Sequence, residues 1–169
     1  MTASNRSLRR TVLSFFLLVA STQAIQSQDN RSVSPTVALD SVLVRVFQNR
    51  ADLLSLAKAH TGSNPEAEIT TSLVCVSELF GAHVSTSTDL IFLVEMVSDP
   101  GSRSRVRPYV LRRIAALKKD LEGLVERVNS SLGYLKGPAV VASGRDLREL
   151  LRRTVAQLDT AALNRALPR

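Results

Sequence analysis

The chain has 169 residues, 44% of them hydrophobic, and its 22 basic against 15 acidic side chains leave a net charge of +7. That length suits one domain with a core of its own. Cys75 is the only cysteine, so no intrachain disulfide is possible and the domain must hold together by packing alone.

Arg6, Arg9 and Arg10 open the chain with no acidic residue among them, the apolar run Val12–Ala20 follows, and Ser21-Thr22-Gln23-Ala24 closes it. Basic, apolar, then small is the order of a secretory signal peptide, with cleavage expected after Ala24 and Ser27 as second choice. A retained membrane anchor is the rival, but a spanning helix needs about 20 apolar residues and this run has half that. Removing residues 1–24 takes away three arginines and no acid, so the net charge falls from +7 to +4. Export without disulfides favours a bacterial periplasm or a similar envelope space over a eukaryotic exterior.

Residues 25–33 read as an extended polar segment and 34–169 as a single helical domain. Ser34-Pro35 places a cap before a proline at the first helical position, and that helix runs to about His60, ended by Thr61-Gly62-Ser63. Leu39, Leu43, Val46, Phe47, Leu54 and Ala57 recur along it at helical spacing. Asn64-Pro65-Glu66 repeats the start signal, with Glu66 and Glu68 where the helix dipole favours negative charge. Ile69, Leu73, Val76, Phe80 and His83/Val84 then mark one face. Ser85–Thr88 is expected to break this helix. Leu90–Val97 is apolar without periodicity, so helix is favoured there with a buried strand as the alternative.

Ser98–Ser102 reads as a turn. A third helix is expected to begin near Ser104–Pro108 and to end at Gly137-Pro138, on the stripe Val110, Ile114, Leu117, Leu121, Leu124, Val128, Leu132 and Leu135. Ser143 with Asp146 resembles a capping box for a fourth helix carrying Leu147, Leu151, Val155, Leu158 and Ala162. Short connections give antiparallel neighbours. The expected fold is therefore all-α: an up-down-up-down four-helix bundle after a cleaved N-terminal signal peptide.

Little in the chain signals chemistry. Cys75 and His83 are eight residues apart, which turns them roughly 80° away from each other at 100° per residue. There is no HxxxH, CxxC, CxxCH or ExxH, so no metal site is expected. No GxSxG elbow or glycine-rich phosphate loop occurs, and neither histidine has an acid beside it in sequence. No catalytic residue and no cofactor are assigned.

Charge placement is the informative feature. Residues 25–102 hold four basic and nine acidic side chains, residues 103–169 fifteen and six. The basic residues gather as Arg103, Arg105, Arg107, Arg112 and Arg113, then as Arg145, Arg148, Arg152 and Arg153, near the starts of the last two helices. In an up-down bundle these would form two patches. Acidic and basic helices lying side by side would explain them, as would an anionic partner such as lipid headgroups or an envelope polymer. Nucleic acid is disfavoured by export and by having only Tyr109 and Tyr134 as aromatics in the basic half. Phe92 and Met96, four apart, face away from Ile91 and Val94 and need a second cover; the 137–144 connection with its apolar 139–142 is the favoured one, and a homodimer or another protein the alternative to test.

These readings converge on an exported, non-enzymatic interaction or scaffold module of the cell envelope. The alternative is a bundle that holds a small molecule or cofactor between facing helices, and an enzyme with a dispersed site ranks behind both.

Overall fold

The computed structural model describes residues 35–59 and 64–168, and all regular structure among them is helical. The expected signal peptide, the polar segment 25–33, the Ser34 cap, His60 and the Thr61-Gly62-Ser63 stop lie outside these residues. The helices are α1 (Pro35–Ala59), α2 (Pro65–Met96), α3 (Pro100–Leu132), α4 (Pro138–Gln157) and α5 (Thr160–Ala166).

Each of α1 to α4 begins on a proline. Its missing N–H is no loss in the first turn, and its fixed φ is already helical. The residue before it supplies the cap in two cases. Asn64 Oδ1 accepts the Glu66 amide at 2.9 Å, and Asp99 Oδ2 accepts the Ser102 amide at 2.6 Å. Gly137 has no side chain with which to cap α4. The carboxylate of Glu66 acts from another helix instead, its Oε1 accepting the amides of Gly137 at 2.6 Å and Lys136 at 2.9 Å.

α1 packs against α2 and α4, α3 packs against the same two helices, and α5 rests on α3. The four long helices thus close a ring around Leu39, Val46, Leu53, Leu73, Phe80, Val84, Ile91, Val110, Ile114, Leu121, Leu147 and Leu151, all at most 1% exposed. Each such aliphatic or aromatic side chain contributes about 1.5–3 kcal/mol on leaving water. Gly144 sets a close approach: a Cβ there would stand 2.9 Å from Leu132 Cδ2, whereas one on Gly81 would meet Val46 Cγ1 at an ordinary 3.6 Å.

Several expected boundaries move. α2 runs unbroken through Ser85–Thr88, because the hydroxyls there turn back onto their own helix. Thr86, Ser87 and Thr88 donate to the carbonyls of Ala82, His83 and Val84 at 2.8, 2.8 and 3.1 Å. Leu90–Met96 is helix, not strand. α3 starts at Pro100 rather than at 104–108, and Pro108 sits inside it on the exposed side. It ends at Leu132, well before Gly137, in a turn at Gly133-Tyr134.

α4 starts at Pro138, so Ser143 and Asp146 are interior positions and not a capping box. Ala139–Ala142 is its first full turn rather than a connection, and Val140 is buried in the core. α4 stops at Gln157, where Asp159 caps the short α5 that carries Ala162. On α1, Phe47 and Leu54 point to solvent, and Val42, Val46, Asn49 and Leu53 face inward instead.

Candidate functional site

The ring order sets the α1–α2 pair opposite the α3–α4 pair. Asp40, Asp52, Glu68, Glu78 and Asp89 are exposed on the first pair, against Arg45 and Lys58; Arg105, Arg112, Arg113, Lys119, Arg127, Arg145, Arg152 and Arg153 are exposed on the second, against Asp120, Glu122, Glu126 and Glu149. On balance one flank is acidic and the other basic.

Not every basic residue is free to meet a partner. Arg103 turns back to the end of α2, where its Nε and Nη2 donate to the Val97 carbonyl at 2.8 and 2.5 Å. Arg107 donates through Nη2 to the Asn164 carbonyl of α5. Both place a cation on a carbonyl at the end of a helix, which the macrodipole favours. Arg153 Nε reaches Glu149 Oε1 at 2.9 Å, one turn back on α4. Arg148 is half-buried, and its buried Nε has no hydrogen-bond partner among the described residues. Arg105, Arg112, Arg113, Arg145 and Arg152 are exposed and form no ion pair among the described residues.

Side-by-side charge complementarity accounts for only part of the pattern. Arg45 of the acid-rich α1 pairs with Asp146 of the base-rich α4 at 3.1 Å. His83 Nε2 of α2 lies 3.7 Å from Asp120 Oδ2 of α3. Both pairs run against the overall distribution of charge, and Arg50–Glu78 lies wholly within the acidic flank. Exposed pairs of this kind contribute about 0–1 kcal/mol each.

Two carboxylates have a pKa below their ordinary range. Asp99 is lowered first by the hydrogen bond from the Ser102 backbone amide and then by the Ser102 side chain. Glu149 is lowered by the hydrogen bond from Arg153 and by that residue's charge. Both lie at the surface, where capping and pairing account for them.

Asn49, Thr70, Ser77, Ser87 and Thr154 are buried polar residues inside the bundle, and the hydroxyls donate to backbone carbonyls, whereas Asn49 is satisfied only in part. Asn49 is 3% exposed, and its Nδ2 donates to the Ser143 carbonyl at 2.9 Å with Asp146 Oδ2 at 3.5 Å. Its buried Oδ1 has no hydrogen-bond partner among the described residues. Between α1 and α2 a surface cleft of about 330 Å³ is lined by Leu43, Phe47, Arg50, Ser77, Glu78 and Gly81, among others.

His83 holds its Nδ1 2.7 Å from the Leu79 carbonyl, so that nitrogen carries the proton. Cys75 is an exposed free thiol on α2. Among the described residues no group of three or more His, Cys, Asp or Glu side chains is placed to hold a metal ion, and no helix is long and apolar enough to cross a membrane.

Phe92 and Met96 lie on the outside of α2, 53% and 62% exposed, while Ile91 and Val94 beside them are fully buried. The helix formed by 139–142 does not cover them. Leu79 and Leu93 on α2 and Val37, Val44 and Phe47 on α1 are exposed large apolar residues as well.

The α3 start is tied to α5 through Arg107, while the α4 start is tied to the α2 start through Glu66. Arg165, one residue past the carbonyl that Arg107 holds, is exposed on α5; the link between these two segments comes from tertiary packing across more than fifty residues of sequence. No protein family, curated protein or solved structure matches this chain.

Proposed function

We propose that this chain is an exported helical-bundle protein that acts by binding, as a non-enzymatic interaction or scaffold module of the cell envelope, in the periplasm or outside the cell. The observation that carries this reading is the segregation of charge. On balance an acidic flank and a basic flank stand back to back, and Arg105, Arg112, Arg113, Arg145 and Arg152 are exposed with no ion pair among the described residues. Such an arrangement adds little to stability. It gives a partner an orientation and a rate of approach.

An up-down-up-down course of the four long helices fits the contacts. Glu66 at the start of α2 meets the turn between α3 and α4, and Arg107 near the start of α3 meets α5 beyond the end of α4. In this reading Phe92 and Met96 are the contact surface for a protein partner or a second copy of the chain. Replacing both by serine should lower the oligomeric state or abolish the protein contact; an unchanged sedimentation profile would remove the self-association surface.

A second reading, a small molecule held between facing helices, is favoured by the cleft between α1 and α2. Native mass spectrometry of the protein purified from its own host separates the two. The binding-module reading expects a bare chain beginning at Ile25, as monomer or dimer. A reproducible extra mass that leaves on denaturation would replace it with the small-molecule reading, and a chain still carrying residues 1–24 would remove the export step.

A further inference from the structure

We infer that the outer face of α3 is a docking ridge for the anionic lipid headgroups of a bilayer surface. The inference rests on the binding-module reading and names the partner's chemistry. Residues 100–119 hold seven basic side chains and no acid. Arg103 and Arg107 are turned inward onto helix ends, which leaves Arg105, Arg112, Arg113 and Lys119 exposed with no ion pair among the described residues. Arg105, Arg112 and Lys119 recur every seven residues, so they share one side of the helix over about 21 Å.

Tyr109 sits within this row, four residues after Arg105 and three before Arg112, and is 50% exposed. An exposed ring with a polar tip among arginines suits the boundary between headgroups and water. Shape argues in the same direction. A single helix is a convex ridge that meets a plane along its length, whereas a flexible polyanion is held better by a basic groove. The acidic α1–α2 flank lies on the far side of the ring, so an anionic plane would attract one face, repel the other and orient the molecule. Phe92 and Met96 belong to α2 and lie off this ridge.

The test is cosedimentation of the protein, isolated from its own host, with vesicles of phosphatidylcholine alone and of equal parts phosphatidylcholine and phosphatidylglycerol. Pelleting is expected with the anionic vesicles only, and it should weaken as salt shortens the screening length. Arg112→Glu with Lys119→Glu should lower the affinity at least about tenfold. Arg145→Glu with Arg152→Glu changes the net charge equally but lies off the ridge, so its loss should be several times smaller.

Equal losses for the two pairs would overturn the ridge, since net charge alone would then explain binding. Pelleting with pure phosphatidylcholine, or none with the anionic vesicles, would overturn the lipid partner. Pelleting without vesicles that Arg112→Glu with Lys119→Glu abolishes would assign the ridge to a second copy and overturn it too. A native mass spectrum of the same sample keeps the two levels apart. A bare chain that ignores the vesicles removes the lipid but leaves the binding module, whereas a bound small molecule removes the module.

Discussion

The carboxylate of Glu66, in the first turn of α2, accepts the backbone amide of Gly137 at 2.6 Å, across 71 residues of sequence. Gly137 cannot cap α4 itself, so one acidic side chain serves the starts of two helices. Glu66→Ala should therefore loosen α4 although it lies on α2. A loss of about 1–2 kcal/mol is expected from a missing cap. Urea unfolding should show a lower midpoint with an unchanged slope, and hydrogen exchange should speed up at residues 138–142.

Two glycines should respond in opposite senses to the same change. A Cβ on Gly144 would lie 2.9 Å from Leu132 Cδ2, while one on Gly123 would meet nothing within 4 Å. Gly144→Val should destabilise by about 1–3 kcal/mol through overpacking. Gly123→Ala, in an exposed stretch of helix, should stabilise by about 0.5–1 kcal/mol. Thermal unfolding of the two variants beside the parent chain checks both signs.

Asn49 occupies a core position of α1 with one polar atom unsatisfied. Asn49→Leu should leave stability within about 1 kcal/mol, since the gain in apolar burial offsets one lost hydrogen bond. Asn49→Asp should cost about 3–5 kcal/mol at neutral pH, because it buries a second carboxylate beside Asp146, whose partner Arg45 is already engaged. If both variants unfolded at the same urea concentration, the pocket around Asn49 would be open to water.

Acid should weaken the α3 cap. Asp99 has a folded pKa below its ordinary 3.8, so its contribution is fully present above that value and is lost as pH falls through the folded pKa. Asp99→Asn keeps an acceptor but removes the titration. Its unfolding midpoint should stay flatter than the parent's below the ordinary aspartate pKa. Glu149 behaves alike relative to its ordinary 4.5, and Glu149→Gln is the matching control.

The proline starts show how much of the fold was legible in the sequence. Pro35 and Pro65 follow Ser34 and Asn64 and read directly as helix starts. Pro100 follows Asp99 in the same way, but Gly101-Ser102 made that stretch look like a turn. Pro138 follows a glycine, and its capping group is a carboxylate on another helix, so no local pattern announced it. The α1 register was obscured by Asn49, a polar residue on the buried side, while Phe47 and Leu54 supplied apolar positions that point outward.

The basic residues divide similarly. The row Arg105, Arg112, Lys119 follows from helical spacing alone. The inward turn of Arg103 and Arg107 does not, because their acceptors are carbonyls at the ends of α2 and α5. An arginine cluster read from sequence overstates the charge offered to a partner by as many residues as the fold consumes for its own helix ends.

Pro35, Ala38 and Leu39 at the start of α1 line one apolar cavity of about 160 Å³ together with Gln157, Ala162, Leu163 and Ala166. Among the described residues the first and last helices thus share a wall, and the start of α1 neighbours α5. A circularly permuted chain, with α5 joined to α1 by a short flexible linker and new termini opened at Ser98-Asp99, would keep every helix against its present neighbours. The order in which the ribosome delivers the helices is therefore separable from the ring they form.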